Sequence, residues 1–360
     1  MDFALQRYAN APSAVRSTQR PIAVWLLVCC ALVFAMVVVG GVTRLTHSGL
    51  SIVEWKPLVG AIPPLNEAQW AETFAKYQRT PEFKLVNHAM TVAEFKSIFW
   101  WEYFHRLLGR MIGVVFLLPL LWFVLRRQVG RALALKLGGI FVLGGLQGAM
   151  GWYMVKSGLV DDPRVSHFRL TAHLSIAFLI LAAMFWLALD LLHPARRAGV
   201  PARSPLSGLR RHAGWLTGIA AYMVVTGGLV AGIRAGYAYN TFPLMNGRWI
   251  PPEIMMIDPW WKNFFYNMAT VQFDHRLGAW ALTFLTVLLW WRTRGADLPV
   301  PVRRALVALT VALLVQVSLG IGTLLTGVSV PLAAAHQGCA VLLFGAALAL
   351  NHAFARADQA

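Results

Sequence analysis

Long apolar runs alternate with short, arginine-rich polar segments along almost the whole chain. A membrane span needs roughly 20 mostly apolar residues, and eight runs reach that length, at about 22–42, 99–125, 133–154, 170–192, 213–233, 270–291, 304–326 and 331–353. The pattern predicts an all-α polytopic membrane protein with eight transmembrane helices. Two polar segments are long. In the first (about 43–98), Asn66 with Gln69 and Thr91 with Glu94 have the spacing of capping boxes and predict two short helices on the outer surface. The second (about 234–269) contains YAYNTFPLMNGRWIPPEIM, whose aromatics suit a membrane interface. The N-terminal MDFALQRYANAPSAVRSTQRP has no short apolar stretch with a small-residue cleavage site, so the first run is expected to be a retained helix.

Composition agrees with this pattern. Hydrophobic residues make up 58% and charged residues 13%, at a mean hydropathy of +0.58. A soluble domain usually carries about 25% charged residues, so neither a soluble enzyme nor a disordered chain fits. The 32 Lys and Arg against 15 Asp and Glu give a net +17. The apolar runs exclude a nucleic-acid partner, and the charge reads as topology. Basic residues crowd the tail (Arg7, Arg16, Arg20), the 2–3 loop (Arg126, Arg127, Arg131, Lys136), the 4–5 loop (Arg196, Arg197, Arg203, Arg210, Arg211) and the 6–7 loop (Arg292, Arg294, Arg303, Arg304). The 3–4 loop has Lys156, Arg164 and Arg169, and the 7–8 loop has none. Both termini are therefore expected to be cytoplasmic, in a multi-pass protein of a bacterial inner (cytoplasmic) membrane. The three cysteines, Cys29, Cys30 and Cys339, all lie in apolar runs and predict no disulfide framework, only packed side chains.

The chain repeats itself. WEYFHRLLGRMIG parallels VQFDHRLGAWALT, with His105 and His275 170 residues apart. GGLQGAMG parallels LVQVSLGIG, with Gln147 and Gln316 169 apart, and TAHLS parallels AAHQG, with His173 and His336 163 apart. GGVTRLTHSGL parallels GGLVAGIRAGY at 187. Two four-helix bundles in parallel orientation follow, related by an axis along the membrane normal. The expected organisation is a cytoplasmic tail (1–21), an N-terminal bundle (22–192), a basic linker (193–212), a C-terminal bundle (213–353) and a short tail (354–360).

Of ten histidines, His193, His212 and His352 read as solvated or interfacial, and His47, His88 and His167 as outer-side residues without an assigned role. His105, His173, His275 and His336 differ. They fall one each in spans 2, 4, 6 and 8, near the outer end of each. Intramembrane imidazoles are expensive and point to function, and their type suits a transition metal. Two per half on different helices suits two-imidazole ligation of a porphyrin iron, His105 with His173 and His275 with His336. The halves differ three residues before the first histidine, where Glu102 faces Gln272 in the alignment. An i, i+3 pair shares a helix face. Glu102 is thus a candidate proton acceptor or stabiliser of positive charge beside His105. Arg106 and Arg276, directly after their histidines, are candidates for pairing with porphyrin carboxylates.

These motifs carry a resemblance. GGVTRLTHSGLSIVEWKPLVGAIPP, EYFHRLLGR, QGAMGWYMVKSGL, AHLS, NTFPLMNGRWIPP, QFDHRLGAW and AAHQ span both halves. With them the chain resembles the haem A synthases of alphaproteobacteria and mitochondria. The resemblance implies oxidation of the C8 methyl of haem O to a formyl, giving haem A for terminal oxidase assembly. It implies the substrate haem between His105 and His173, an auxiliary haem b between His275 and His336, and Glu102 as the essential glutamate. It also implies a haem O-producing farnesyltransferase and an electron donor as functional partners, and leaves a homo-oligomer open. Some bacterial members carry a cysteine pair in the first outer loop. This chain has no cysteine between Cys30 and Cys339, so it resembles the subgroup without that pair. Two other classes compete: a quinol-linked di-haem electron carrier, and a haem transporter, which four histidines on one side disfavour.

Overall fold

The computed structural model describes residues 11–55, 59–160, 163–194 and 206–357, with side chains from Gln19 onward outside the segment 56–59. Apart from one isolated bridge, Met245–Arg248, no strand occurs among the described residues. Eight helices of 25 or more residues make up the body: α1 (Ala11–Leu45), α2 (Val92–Leu125), α3 (Arg131–Gly158), α4 (His167–Leu192), α5 (Ser207–Gly232), α6 (Met268–Arg292), α7 (Val300–Leu325) and α8 (Val330–Ala357). Seven are long and apolar enough to cross a membrane, and α6 is the exception. Asp274, His275 and Arg276 interrupt its apolar run and Trp280, Trp290 and Trp291 dilute it, although its 25 residues extend roughly 37 Å. The expectation of eight spans thus stands at seven on length and apolarity. Arg7, Arg196, Arg197 and Arg203, used to read the orientation, lie outside the described residues, as does the side chain of Arg16.

Helix packing repeats between the halves. α1 packs on α2 and α4, and α3 packs on α4; likewise α5 packs on α6 and α8, and α7 on α8. The halves meet through α4 against α5 and through α8 against α1, two contacts that exchange when the halves are swapped, with α4 also touching α8. The common core holds Leu26, Cys29, Phe178, Met184, Leu216, Leu289, Leu309 and Phe354, all buried. Many large apolar side chains point outward instead, among them Leu118, Leu125, Phe284, Trp291 and Leu314. That is how a helix bundle looks when its outer solvent is hydrocarbon. All three cysteines are free and buried, as expected for packed side chains.

The first long polar segment differs from its expectation in register. Asn66 caps a short helix, Glu67–Tyr77, accepting from the Gln69 N–H at 2.9 Å. The second short helix is Pro81–Leu85, capped by Thr80. The Thr91–Glu94 capping box starts α2 itself. Thr91 is followed at once by good helix formers that join the apolar run, so nothing stops the helix before Leu125. The seven-residue extension of α2 beyond position 99 supplies Phe95 to an aromatic cluster with Trp70, Phe74, Tyr77, Phe99 and Tyr103. This cluster fastens the short helices onto α2 and fixes the loop 46–55 that reaches Glu102.

Candidate functional site

The four singled-out histidines are half-buried and lie in the N-terminal half of α2, α4, α6 and α8. The structure places His105 near His173, and His275 near His336. Each ring lies flush against a glycine of a neighbouring helix. A Cβ built on Gly40 of α1 would stand 2.9 Å from His105 Nε2, and one on Gly227 of α5 would stand 3.3 Å from His275 Cε1. On Gly151 of α3 it would stand 3.0 Å from His173 Cε1, and on Gly320 of α7 2.9 Å from His336 Cε1. Gly40 and Gly227 are related by the 187-residue offset, and Gly151 and Gly320 by the 169-residue offset. Sequence reasoning assigned these glycines no role, though all four sit inside the aligned repeat motifs. What it lacked was the crossing of α1 over α2 and of α3 over α4, which only packing supplies.

Hydrogen bonds around the rings also follow the repeat, in part. Gln147 Nε2 lies 3.4 Å from His173 Nε2, and Gln316 Nε2 lies 3.4 Å from His336 Nε2. His336 Nδ1 stands 3.1 Å from the Gln316 carbonyl oxygen. His275 Nδ1 stands 2.8 Å from Thr226 Oγ1.

One helical turn away, each half ties an arginine to its own loop. Arg106 donates to Glu102 Oε1 through Nε (3.0 Å) and Nη2 (2.6 Å), and also to the carbonyls of Ile52 and Glu54. Glu102 Oε2 accepts from Ser51 Oγ and from the Ile52 N–H, both at 2.8 Å. Glu102 is buried, with four donors around its two oxygens. In the other half Arg276 donates to Gln272 Oε1 at 2.9 Å and to the Tyr239 carbonyl at 2.9 Å. Gln272 is equally buried and donates to the Ala235 carbonyl at 2.8 Å. Ile52 and Tyr239 are again 187 residues apart, so the two clamps are one device built twice. The difference is charge: Glu102–Arg106 is a neutral ion pair, while Gln272–Arg276 keeps the full positive charge of its guanidinium.

Next to the first clamp, the first long polar segment holds a second buried carboxylate. Glu82 is 6% exposed and accepts from Tyr77 Oη at 3.2 Å, while Asn87 Nδ2 donates to Tyr77 Oη at 2.8 Å. Burial pushes the Glu82 carboxyl up to about 7, the Tyr77 hydroxyl pulls it down, the Glu102 charge pushes it up, and Arg234 pulls it down. Nothing in the sequence marked this residue.

The remaining histidines stand elsewhere. His47 contacts Arg234 at 3.4 Å, His88 is exposed, and His167 packs on Phe168 and Tyr266. A solvated reading does not hold for His212 and His352, which are 5% and 3% exposed. His212 bonds the Leu285 carbonyl and Arg292, and His352 bonds Asp190, so each stitches two helices together. Local sequence could not show this, because the partners lie 73 to 162 residues away.

The donor set fits a large planar iron ligand better than a compact metal site. No cluster of three or more His, Cys, Asp or Glu occurs among the described residues. Each half instead offers two imidazoles on different helices, backed by glycines whose missing Cβ leaves room for the rings. Gln147 Oε1, Gln316 Oε1 and His173 Nδ1 are buried without a partner, and such atoms call for one.

Comparison with known proteins agrees in extent with the whole repeat. Residues 23–348 match the COX15-CtaA family model, described as cytochrome oxidase assembly protein. A protein of Nitrosospira multiformis named heme A synthase is 61% identical over 340 residues, covering 94% of this chain and 95% of the relative. Proteins of the same name from Nitrosomonas eutropha (55% identical; 94% and 96% covered) and Paramagnetospirillum magneticum (49%; 98% and 99% covered) match as fully.

Proposed function

The chain belongs to the COX15-CtaA family of cytochrome oxidase assembly proteins, and on that premise we propose that it is a haem A synthase. It is an oxidoreductase that converts haem O to haem A by oxidising the C8 methyl to a formyl. The observation that carries the site assignment is a duplicated histidine pair with one carboxylate that is not duplicated, Glu102 against Gln272. The di-haem electron-carrier reading draws no support from these relatives, which are named heme A synthase.

His105 and His173 would hold the substrate haem O, and His275 and His336 a haem b. Bound haem b supplies one-electron chemistry at its iron. Glu102 sets a carboxylate one turn from His105, where Ser51, the Ile52 N–H and Arg106 hold both its oxygens in place. Paired with Arg106 the site is neutral overall, so Glu102 offers fixed, oriented acceptor oxygens to a proton or positive charge that develops beside them. Arg106 and Arg276, candidates for meeting porphyrin carboxylates, keep that role only through the donors not used on Glu102, Gln272 and the loop carbonyls. The aromatic cluster over α2 covers the outer side of the N-terminal half.

The remaining architecture belongs to the same proposal. Eight spans, α6 included, form an N-terminal bundle (22–192) and a C-terminal bundle (213–353) around a pseudo-two-fold axis, supported by the exchangeable α4–α5 and α8–α1 contacts. Both termini and the 193–212 linker face the cytoplasm of a bacterial inner membrane, as the arginine-rich loops indicate. A haem O-producing farnesyltransferase and an electron donor are the functional neighbours.

The test is pigment analysis of cells that make haem O and express this chain. Haem A is expected with the wild type and absent with Glu102→Ala. Haem A formation undiminished by Glu102→Ala would remove Glu102 from the chemistry.

A further inference from the structure

The two first-pair histidines, His105 and His275, are held differently although their helices and backing glycines are equivalent. Thr226 precedes Gly227 on α5, and its Oγ1 lies 2.8 Å from His275 Nδ1 and 3.3 Å from the Met223 carbonyl. In the tautomer with its proton on Nδ1, His275 donates to Thr226 Oγ1 and Thr226 Oγ1–H donates to Met223 O, so that His275 Nε2 would be the nitrogen available to an iron. The residue 187 positions earlier is Val39, directly before Gly40. A valine has the same shape and no hydroxyl, and His105 makes no side-chain hydrogen bond among the described residues. The second pair does not differ in this way: His336 Nδ1 stands 3.1 Å from the Gln316 carbonyl oxygen, and His173 is turned to the equivalent Gln147 carbonyl, outside strict hydrogen-bond geometry.

A metal-bound imidazole is oriented by the partner of its other nitrogen, and loss of that partner typically weakens metal binding about 10–100-fold. In the first pair, His275 has such a partner in Thr226, and His105 has none among the described residues. We propose that Thr226 is a positioning residue that locks His275 and makes the C-terminal haem a resident group. Val39 at the equivalent place leaves His105 free to release its haem. The asymmetry meets a chemical requirement: a substrate haem must enter and its product must leave, while an auxiliary haem must stay. This inference rests on the two-haem reading above and adds what separates a site that retains from a site that exchanges.

The test uses full-length protein purified with its haems from a membrane, with haem loss to an excess of apomyoglobin followed by absorbance and with the reduction potential measured by titration. Thr226→Val is expected to fold, since valine already fills the equivalent position. It should lose the C-terminal haem about 10–100-fold faster, with a raised reduction potential, because a less electron-rich imidazole favours ferrous iron. Thr226→Ser should restore both. Val39→Thr should slow exchange from the N-terminal site. Unchanged haem loss and potential in Thr226→Val, or failure of Thr226→Ser to restore them, overturns the inference. Wild-type protein purified without haem would instead overturn the two-haem reading itself.

Discussion

Gly320→Ala tests the fit of the histidine cradles most directly. The new methyl would stand 2.9 Å from His336 Cε1 and 3.3 Å from its Nδ1. Carbon atoms rest at about 3.5–4.0 Å, so the ring must retreat by roughly 0.6–1 Å. The His336 Nδ1 to Gln316 oxygen distance is already 3.1 Å. Depending on direction, the shift stretches that bond beyond hydrogen-bonding range or turns the ring off its rotamer. The first costs about 0.5–1.5 kcal/mol and the second about 0.5–1.5 kcal/mol. Either outcome amounts to about 0.5–1.5 kcal/mol, or roughly a 2- to 12-fold loss of haem affinity at 1.4 kcal/mol per tenfold. The assay is haem bound per protein, with the absorbance spectrum of the C-terminal haem. Gly322→Ala, two residues along the same helix, is the control. Its Cβ would meet only Leu332 at 3.5 Å, an ordinary contact, and alanine adds helix propensity. Gly320→Ala protein with wild-type haem content and spectrum would refute the cradle. So would an equal loss in the control.

Other perturbations address the clamps and the outer segment. Glu102→Gln should keep the hydrogen bond to Arg106, because Gln272 shows that an amide oxygen satisfies the paired arginine, but it sets an NH2 group against the Ile52 N–H, and haem A should be absent from extracted pigment. Gln272→Glu should neutralise the charge of Arg276 and lower the reduction potential of the C-terminal haem, measured by redox titration. Glu82 sets a pH dependence of stability. Its folded pKa of about 7 exceeds the ordinary 4.5, so the folded state binds the extra proton between them. Stability is therefore highest below about 4.5 from this group and falls as pH rises to about 7, by on the order of 3 kcal/mol. Denaturation in detergent at stepped pH should show this slope in the wild type and lose it in Glu82→Gln. Phe95→Ala should cost about 3–5 kcal/mol locally, seen as faster hydrogen exchange over 67–85, since Phe95 is fully buried among Trp70, Phe74 and Tyr77.

The sequence by itself determined what depends on local pattern and on self-comparison. Apolar run length located the long helices to within a few residues at most ends, since spanning hydrocarbon constrains length strongly. The offset between repeats related His105 to His275 and His173 to His336, and the Glu102–Gln272 difference was legible because one position can be read against the other. Tertiary structure decided everything that depends on which helix crosses which. The Gly40, Gly151, Gly227 and Gly320 contacts, the Thr226 hydrogen bond and the burial of His212 and His352 join residues 16 to 162 positions apart. So does the aim of Glu102 at Ser51 and Ile52. No periodicity within one helix encodes such contacts, because the side chains facing a neighbour and those facing lipid are equally apolar. In a membrane protein the hydrophobic pattern marks the span and leaves its inward face unmarked. Only packing shows that face, and the candidate chemistry lies on it.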